Sequence, residues 1–164
     1  MKNSSYLLYE EPLAPLTGTQ AQLPVLLSEY QFYKKQDIDT YLALLGEIPE
    51  YFASILTFEE EKAKQGLFMS LSQADAIIEE CETFINLQEN NYLYSSFSER
   101  IQSLDLSPKI TDAYIEKNSD CIKQYVIPAY EQLKQGITSL RETGTNSGGL
   151  CPVSYTHLTL PTIL

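Results

Sequence analysis

Apolar residues recur every three or four positions over three stretches of the chain, the spacing that places one stripe along a helix. The first stretch has Asp37 as its predicted N-cap and Gly66 as its predicted C-cap glycine. Gly46 and Pro49 interrupt it, so we expect two helices or one kinked helix. Its stripe consists of Ile38, Tyr41, Leu42, Leu45, Ile48, Phe52, Ile55, Leu56 and Ala63.

The second stretch begins at Ser72, with Asp75 three residues later as a variant of the capping box. Glu79, Glu80 and Glu82 are expected to face water. The pattern predicts one helix whose apolar stripe is Ala74, Ile77, Ile78, Cys81, Phe84 and Ile85.

A short helix is predicted over residues 96–104, after a polar, turn-rich segment over 86–95. The third stretch follows Ser107 and Pro108, a pair typical of helix N-termini. Pro128 lies inside this stretch and should kink the helix near residues 124–127 or split it. Its stripe is Ile110, Tyr114, Cys121, Tyr125, Ala129, Leu133, Ile137 and Leu140.

Residues 1–35 contain Pro12, Pro15, Pro24 and Gly18, which break any helical period, so this segment is predicted to be extended or looped. The fold class is therefore all-α: an irregular helical bundle of four to five helices with an extended N-terminal segment. We divide the chain into this N-terminal segment (1–35), a helical region (36–151) and an uncharged tail (152–164).

The net charge of the chain limits the classes of partner that it is expected to bind. The 164 residues include 22 acidic and 11 basic side chains, a net charge of −11, which argues against nucleic acid and anionic membrane surfaces. The sequence contains no uninterrupted run of about 18 apolar residues, so no membrane-spanning segment is predicted. The first twenty residues carry only Lys2 as a base and reach Glu10 and Glu11 before any signal-like apolar run, so no export signal is visible.

No catalytic or metal-binding constellation can be assembled from these residues. His157 is the only histidine, so neither a zinc site nor a Ser-His-Asp triad is expected. Free thiols are predicted for the widely spaced Cys81, Cys121 and Cys151. The glycine-rich loop TGTNSGG at 143–149 lacks the G-K-[ST] ending of a phosphate-binding loop. We therefore predict no catalytic, cofactor-binding or metal-binding residue.

Two side-chain groups allow a functional interpretation beside a structural one. Glu59, Glu60 and Glu61 are consecutive, so on a helix they diverge by about 100° per residue and are predicted to form a solvated face instead of an acid-base pair. The 12 tyrosines could line a sugar or peptide groove. Packing is the commoner role for those on or beside helix stripes, which are Tyr41, Tyr51, Tyr114, Tyr125 and Tyr130.

The last thirteen residues, PVSYTHLTLPTIL, have no charged side chain and three threonines. They resemble the translated sequencing-adapter read-through that ends many open reading frames assembled from metagenomic DNA. The alternative is a β-prone native tail.

Four segments carry a family resemblance: YLLYEEPLAPLTGTQAQLPVLLSEYQFY, DIDTYLALLGEIPEYFASILTFEEEKAKQGLFMS, YVIPAYEQL and TGTNSGGLC. In this order, over about residues 6–151, they resemble the bacterial family called domain of unknown function 885. The resemblance implies a largely helical protein of several hundred residues, similar to zinc metallopeptidases through a downstream HExxH helix. That motif is absent here, and Met1 is expected to be an internal start.

The resemblance therefore implies a non-catalytic helical fragment of a bacterial zinc-metallopeptidase-like protein, a scaffold or cleft wall without the metal site. Zinc is implied only for the full-length family. The expected partners are the missing catalytic half of the same chain and, in the full-length protein, a peptide substrate; no nucleic acid or membrane is expected. The alternative is a free-standing acidic helical protein-interaction module.

Overall fold

Helices dominate the computed structural model, which describes residues 8–144, and no strand occurs in this range. The elements are α1 (Thr19–Glu29), α2 (Lys35–Lys64), α3 (Leu71–Asn86), a 3₁₀ turn (Gln88–Asn90), α4 (Tyr92–Ile101), α5 (Pro108–Cys121), a π-helical segment (Ile122–Val126) and α6 (Ile127–Leu140). The last three run on without a break, so the described chain forms five helical rods. The predicted all-α class with four to five helices is confirmed.

Helix α2 buries most of the predicted stripe, but it is not split at Pro49. Leu45, Ile48 and Phe52, on both sides of the proline, are almost fully buried, and this packing outweighs the single hydrogen bond that proline removes. Gly66 follows the helix with φ of 70°, as predicted for a C-cap glycine.

The starts of two helices differ from the predictions. The N-cap position of α2 is Lys34, and the Asp37 carboxylate instead accepts from the backbone N–H of Lys34 at 3.0 Å. Helix α3 begins two residues earlier than predicted, because Ser70 and Gln73 form the capping box. These polar side chains satisfy N–H groups that the first turn leaves free.

Helix α4 covers Tyr92–Ile101, four residues earlier than the predicted 96–104. The Asn91 side chain accepts from the backbone N–H of Leu93 at 3.0 Å and so caps its start. Leu93, Phe97 and Ile101 form its buried face. The turn-rich segment was thus predicted too long, because tyrosines in it belong to the helix.

The long helix from Pro108 begins at the predicted Ser107-Pro108 signal. The disturbance expected near Pro128 takes the form of the π-helical segment, whose wider turn accommodates the missing N–H. It also rotates the buried face: Ile122 and Val126 are buried, whereas the predicted Cys121 and Tyr125 are only half-buried.

The prediction that residues 1–35 are extended is wrong for α1, which contains Pro24. Because proline has no N–H, the carbonyl of Gln20 loses its helical partner. The buried hydroxyl of Tyr130 on α6 donates to that carbonyl at 2.7 Å. A side chain 110 residues away thus satisfies the group that the proline leaves free.

We expect Tyr130→Phe to lower the free energy of unfolding by about 1–3 kcal/mol, since it leaves the Gln20 carbonyl buried without a donor. In a Pro24→Ala background, the backbone N–H at position 24 can donate to the Gln20 carbonyl. Tyr130→Phe should therefore lower the free energy of unfolding by less in that background. A double-mutant cycle measured by urea unfolding checks this coupling. Equal costs of Tyr130→Phe in both backgrounds would contradict it.

Four cross-helix contacts define the arrangement of the bundle. Tyr114 contacts Asp39, and Tyr130 packs on Phe52, so the long helix runs parallel to α2. Helix α3 is antiparallel to α6, as the pairs Glu82–Lys134 and Asp75–Arg141 show. Helix α6 therefore lies against both α2 and α3. The core, which comprises 25 buried apolar residues within residues 8–144, extends between these three helices and out to α1 and α4.

Helix α1 lies across α3 and α4 and is fixed at its C-terminal end by Arg100 of α4. The Arg100 guanidinium donates to the carbonyl oxygens of Leu27, at 3.0 Å, and Tyr30. It also lies over the rings of Phe32 and Tyr41, with 4.8 and 5.1 Å to their centroids. This placement leaves α1 with a groove on one side and an apolar face on the other.

Candidate functional site

A groove of about 520 Å³ lies between α1 and α3. Its lining is apolar along the floor and acidic along one edge. The Phe84 ring is fixed there by Tyr130, with 4.2 Å between the centroids. We call this site the α1–α3 groove; its lining residues are Leu16, Gln20, Ala21, Pro24, Ala76, Glu79, Glu80, Thr83, Phe84, Leu87 and Tyr92.

Glu80 holds the N-terminal end of the groove in place. Its carboxylate accepts from the backbone N–H of Leu16 and from the side-chain amide of Gln20, both at 2.8 Å. Leu16 adopts a φ of 64°, an uncommon conformation for a residue with a side chain. The leucine side chain is 77% exposed at the mouth of the groove. A strained, exposed leucine is therefore held at the end of the groove.

The acidic residues of α3 divide into two groups. Asp75 pairs with Arg141, the C-cap residue of α6, at 2.7 Å, and Glu82 pairs with Lys134 of α6 at 3.2 Å. Glu79 and Glu80 line the groove, and neither has a cationic partner within residues 8–144. The prediction that the α3 glutamates face water thus holds for Glu79 and Glu82, whereas Glu80 is half-buried against α1.

A second surface lies between α1 and α2 and is almost entirely apolar. Leu26, Leu44 and Tyr51 are 62%, 44% and 48% exposed on it. The cavity between the helices has a volume of about 270 Å³. We call it the α1–α2 face, and its lining is Leu23, Leu26, Leu27, Tyr30, Leu44, Glu47, Ile48 and Tyr51.

Glu59 departs from the predicted solvated glutamate face. Glu60 and Glu61 are exposed, but Glu59 is fully buried and neither of its carboxylate oxygens has a hydrogen-bond partner. The reason lies in the helical period, because Glu59 is four residues after Ile55 and continues the core stripe. The spacing to Ile55 and to Lys62 was a signal that could have revealed it.

Lys62, also fully buried, is the counter-ion at this position. Its ammonium group lies 3.6 Å from the Glu59 carboxylate, 3.0 Å from the Glu11 carboxylate and 3.1 Å from the Glu10 carbonyl. Burial raises the pKa of Glu59 to about 7, and Lys62 opposes that rise only in part. This cluster ties the N-terminal segment to α2.

Cys81 and Cys121, the two thiols in the described range, do not form a metal site. Cys81 is buried and burial raises its pKa to about 12, so the thiolate that binds zinc is disfavoured. Cys121 is half-buried on another helix. Residues 8–144 contain no group of three or more histidine, cysteine, aspartate or glutamate side chains able to hold a metal ion. These residues do not fit zinc. His157 and Cys151 lie outside the described residues.

The tyrosines divide between packing and surface. Tyr41 and Tyr130 are buried, as packing predicts, whereas Tyr51 is half exposed on the α1–α2 face and Tyr114 and Tyr125 are half-buried. Tyr92, which was not singled out, lines the α1–α3 groove, and burial raises its pKa. The tail at 152–164 and most of the loop at 143–149 also lie outside the described residues.

The fold and these surfaces describe an all-α bundle with a groove and an uncovered apolar face. None of its described helices is long and apolar enough to cross a membrane. A family model described as "Bacterial protein of unknown function (DUF885)" matches residues 2–152. The chain belongs to this family, as its sequence segments predicted. No curated protein matches it.

The bundle is also similar to a solved structure, described as "the putative lipoprotein from Colwellia psychrerythraea". The TM-score is 0.77 at 18% sequence identity, so the likeness establishes the fold alone. The similar region covers 81% of this chain but only 23% of that one. The same bundle is therefore a minor part of a much longer polypeptide there.

Proposed function

We propose that this chain is the non-catalytic helical part of a longer bacterial zinc-metallopeptidase-like protein. In that protein it packs against the catalytic part and forms one wall of the substrate cleft. The zinc chemistry belongs to the HExxH helix that the sequence resemblance implies for longer members, and no residue of this chain takes a catalytic role.

The observation that carries this proposal is the α1–α2 face. Exposed apolar surface of this kind marks a docking site on soluble proteins. Leu26 and Leu44 project from adjacent helices that are both anchored in the core, so the face is preformed. The occupant we propose is the remaining part of the longer protein, since the same bundle makes up only 23% of the similar solved chain.

The first test is the gene. Independent sequencing reads across the codon for Cys151 in the source DNA should continue into a coding region that contains HExxH. A stop codon directly after Leu164 in independent reads would contradict the proposal. That outcome would favour the alternative, a free-standing acidic interaction module.

The second test concerns the α1–α2 face. We expect the purified chain to bind a hydrophobic dye and to associate more strongly at about 0.15 M salt than at low salt, because salt screens the repulsion between chains of charge −11. The double variant Leu26→Lys and Leu44→Lys should lose both properties. Sedimentation velocity and dye fluorescence measure them.

The matched control is Thr57→Lys with Thr138→Lys, which changes the charge equally at two exposed positions away from the face. It should associate at least as well as the native chain, because it lowers the net negative charge. A compact monomer that binds no dye at any salt concentration would show that the face has no docking role.

A further inference from the structure

We infer that the α1–α3 groove binds an extended peptide segment in which a lysine or arginine stands next to an apolar residue. The inference rests on the proposed function, because it assigns the peptide-facing surface of the same cleft wall. Three features of the groove support it: the apolar floor, the two carboxylates that have no cationic partner in the described chain, and the strained leucine at its end.

The floor of the groove suits an apolar side chain or the aliphatic stem of a long cationic one. Pro24 on α1 and Ala76 on α3 are small or flat, so they leave room between the helices. Phe84 and Leu87 close the floor from the side of α3. Since Phe84 is packed against the buried Tyr130, this surface is rigid before any ligand arrives.

The acidic edge of the groove determines the charge of the ligand. Glu79 is exposed and Glu80 is half-buried. The basic side chains at this end of the bundle, Lys134 and Arg141, form ion pairs with Glu82 and Asp75 and not with these two glutamates. Glu80 accepts only from uncharged donors, Leu16 and Gln20. Two carboxylates beside an apolar floor, with no cation of the described chain paired to them, are complementary to a basic side chain.

Leu16 supports the same assignment. A leucine at φ of 64° is strained, and such strain persists only where the surroundings enforce it, often at ligand-binding sites. Glu80 enforces it by accepting from the Leu16 N–H. The result is an apolar side chain, 77% exposed, placed beside the groove to contact a bound peptide.

The chain has no tryptophan, so the fluorescence of a tryptophan-labelled peptide reports binding directly. The probe is a short peptide amide with the central sequence Leu-Arg-Leu, and the comparison is the same peptide with Leu-Glu-Leu. We expect saturable binding of the arginine peptide, weakening with salt, and at least about fivefold weaker binding of the glutamate peptide.

Two variants test the site. Ala76→Phe fills the floor and should weaken binding at least about tenfold, as expected when an apolar contact is displaced. Glu79→Lys reverses the edge charge and should weaken it at least about fivefold. The matched controls are Ala53→Phe and Glu60→Lys, both at exposed positions of α2, and these should bind the peptide like the native chain.

A third variant separates binding from folding. Leu16→Gly relieves the strained conformation, so the urea midpoint should stay the same or rise while peptide affinity falls. Absence of saturable binding to the folded chain, equal binding of the two peptides, or native affinity in Ala76→Phe and Glu79→Lys would each overturn the inference. These outcomes do not affect the gene-level test, so the two proposals fail separately.

Discussion

Gly18→Ala is expected to lower the free energy of unfolding by about 3 kcal/mol, since the added methyl group has no space. Gly18 is the N-cap of α1, with φ of −72°, so its dihedral angles suit any residue. Its position does not, because a Cβ atom there would collide with the backbone nitrogen of Ala14. The Gly18 N–H donates to the Ala14 carbonyl at 2.8 Å, so the two segments cannot separate without losing that bond. Urea unfolding followed by circular dichroism measures the effect.

The matched control is Gly46→Ala in α2. A Cβ at Gly46 meets no atom within 4 Å, so alanine should stabilise the helix by about 0.5–1 kcal/mol through its higher helix propensity. Gly18→Ala should also weaken peptide binding in the α1–α3 groove, because the turn it disturbs carries Leu16. A Gly18→Ala chain within 0.5 kcal/mol of the native one would contradict the close packing of this turn.

The parts of the fold that were predictable are those in which local pattern and packing agree. The α2 stripe from Ile38 to Ile55 is buried as the three-four spacing predicts. The largest error lies where a distant group compensates for a local defect. Helix α1 tolerates Pro24 because Tyr130 supplies a donor from α6, and nothing in the residues around Pro24 indicates that partner.

The α1–α3 groove could be predicted only in part. The glutamates of α3 were expected to face water, and the period of the helix does place Glu79 at the surface. Which acids remain without a cation depends on the pairing of α3 with α6, through Lys134 and Arg141, and so on the antiparallel register of two helices distant in sequence. The family, in contrast, was recognisable from continuous segments that need no tertiary information.

Replacing the buried Glu59 is expected to raise the free energy of unfolding by about as much as Gly18→Ala lowers it. Burial raises the pKa of Glu59 to about 7 in the folded state, from about 4.5 in the unfolded chain. Between these pH values the folded state binds more protons, so this group's contribution to stability falls as pH rises from about 4.5 to about 7 and is constant above. Glu59→Gln removes that loss. We expect the variant to be more stable than the native chain by about 2–3 kcal/mol at pH 8 and equally stable near pH 4.

The measurement is the urea midpoint of both chains from pH 4 to pH 8.5, with Glu60→Gln as the control at an exposed neighbouring position. Lys62 keeps the Glu11 carboxylate at 3.0 Å and the Glu10 carbonyl at 3.1 Å in the glutamine variant, so the substitution does not leave it without a partner. The difference between Glu59→Gln and native should grow through the window from 4.5 to 7, whereas Glu60→Gln should show no such growth. A pH-independent difference, or a glutamine variant less stable at pH 8, would mean that Glu59 is ionised in the folded chain and that its pairing with Lys62 outweighs the cost of burial.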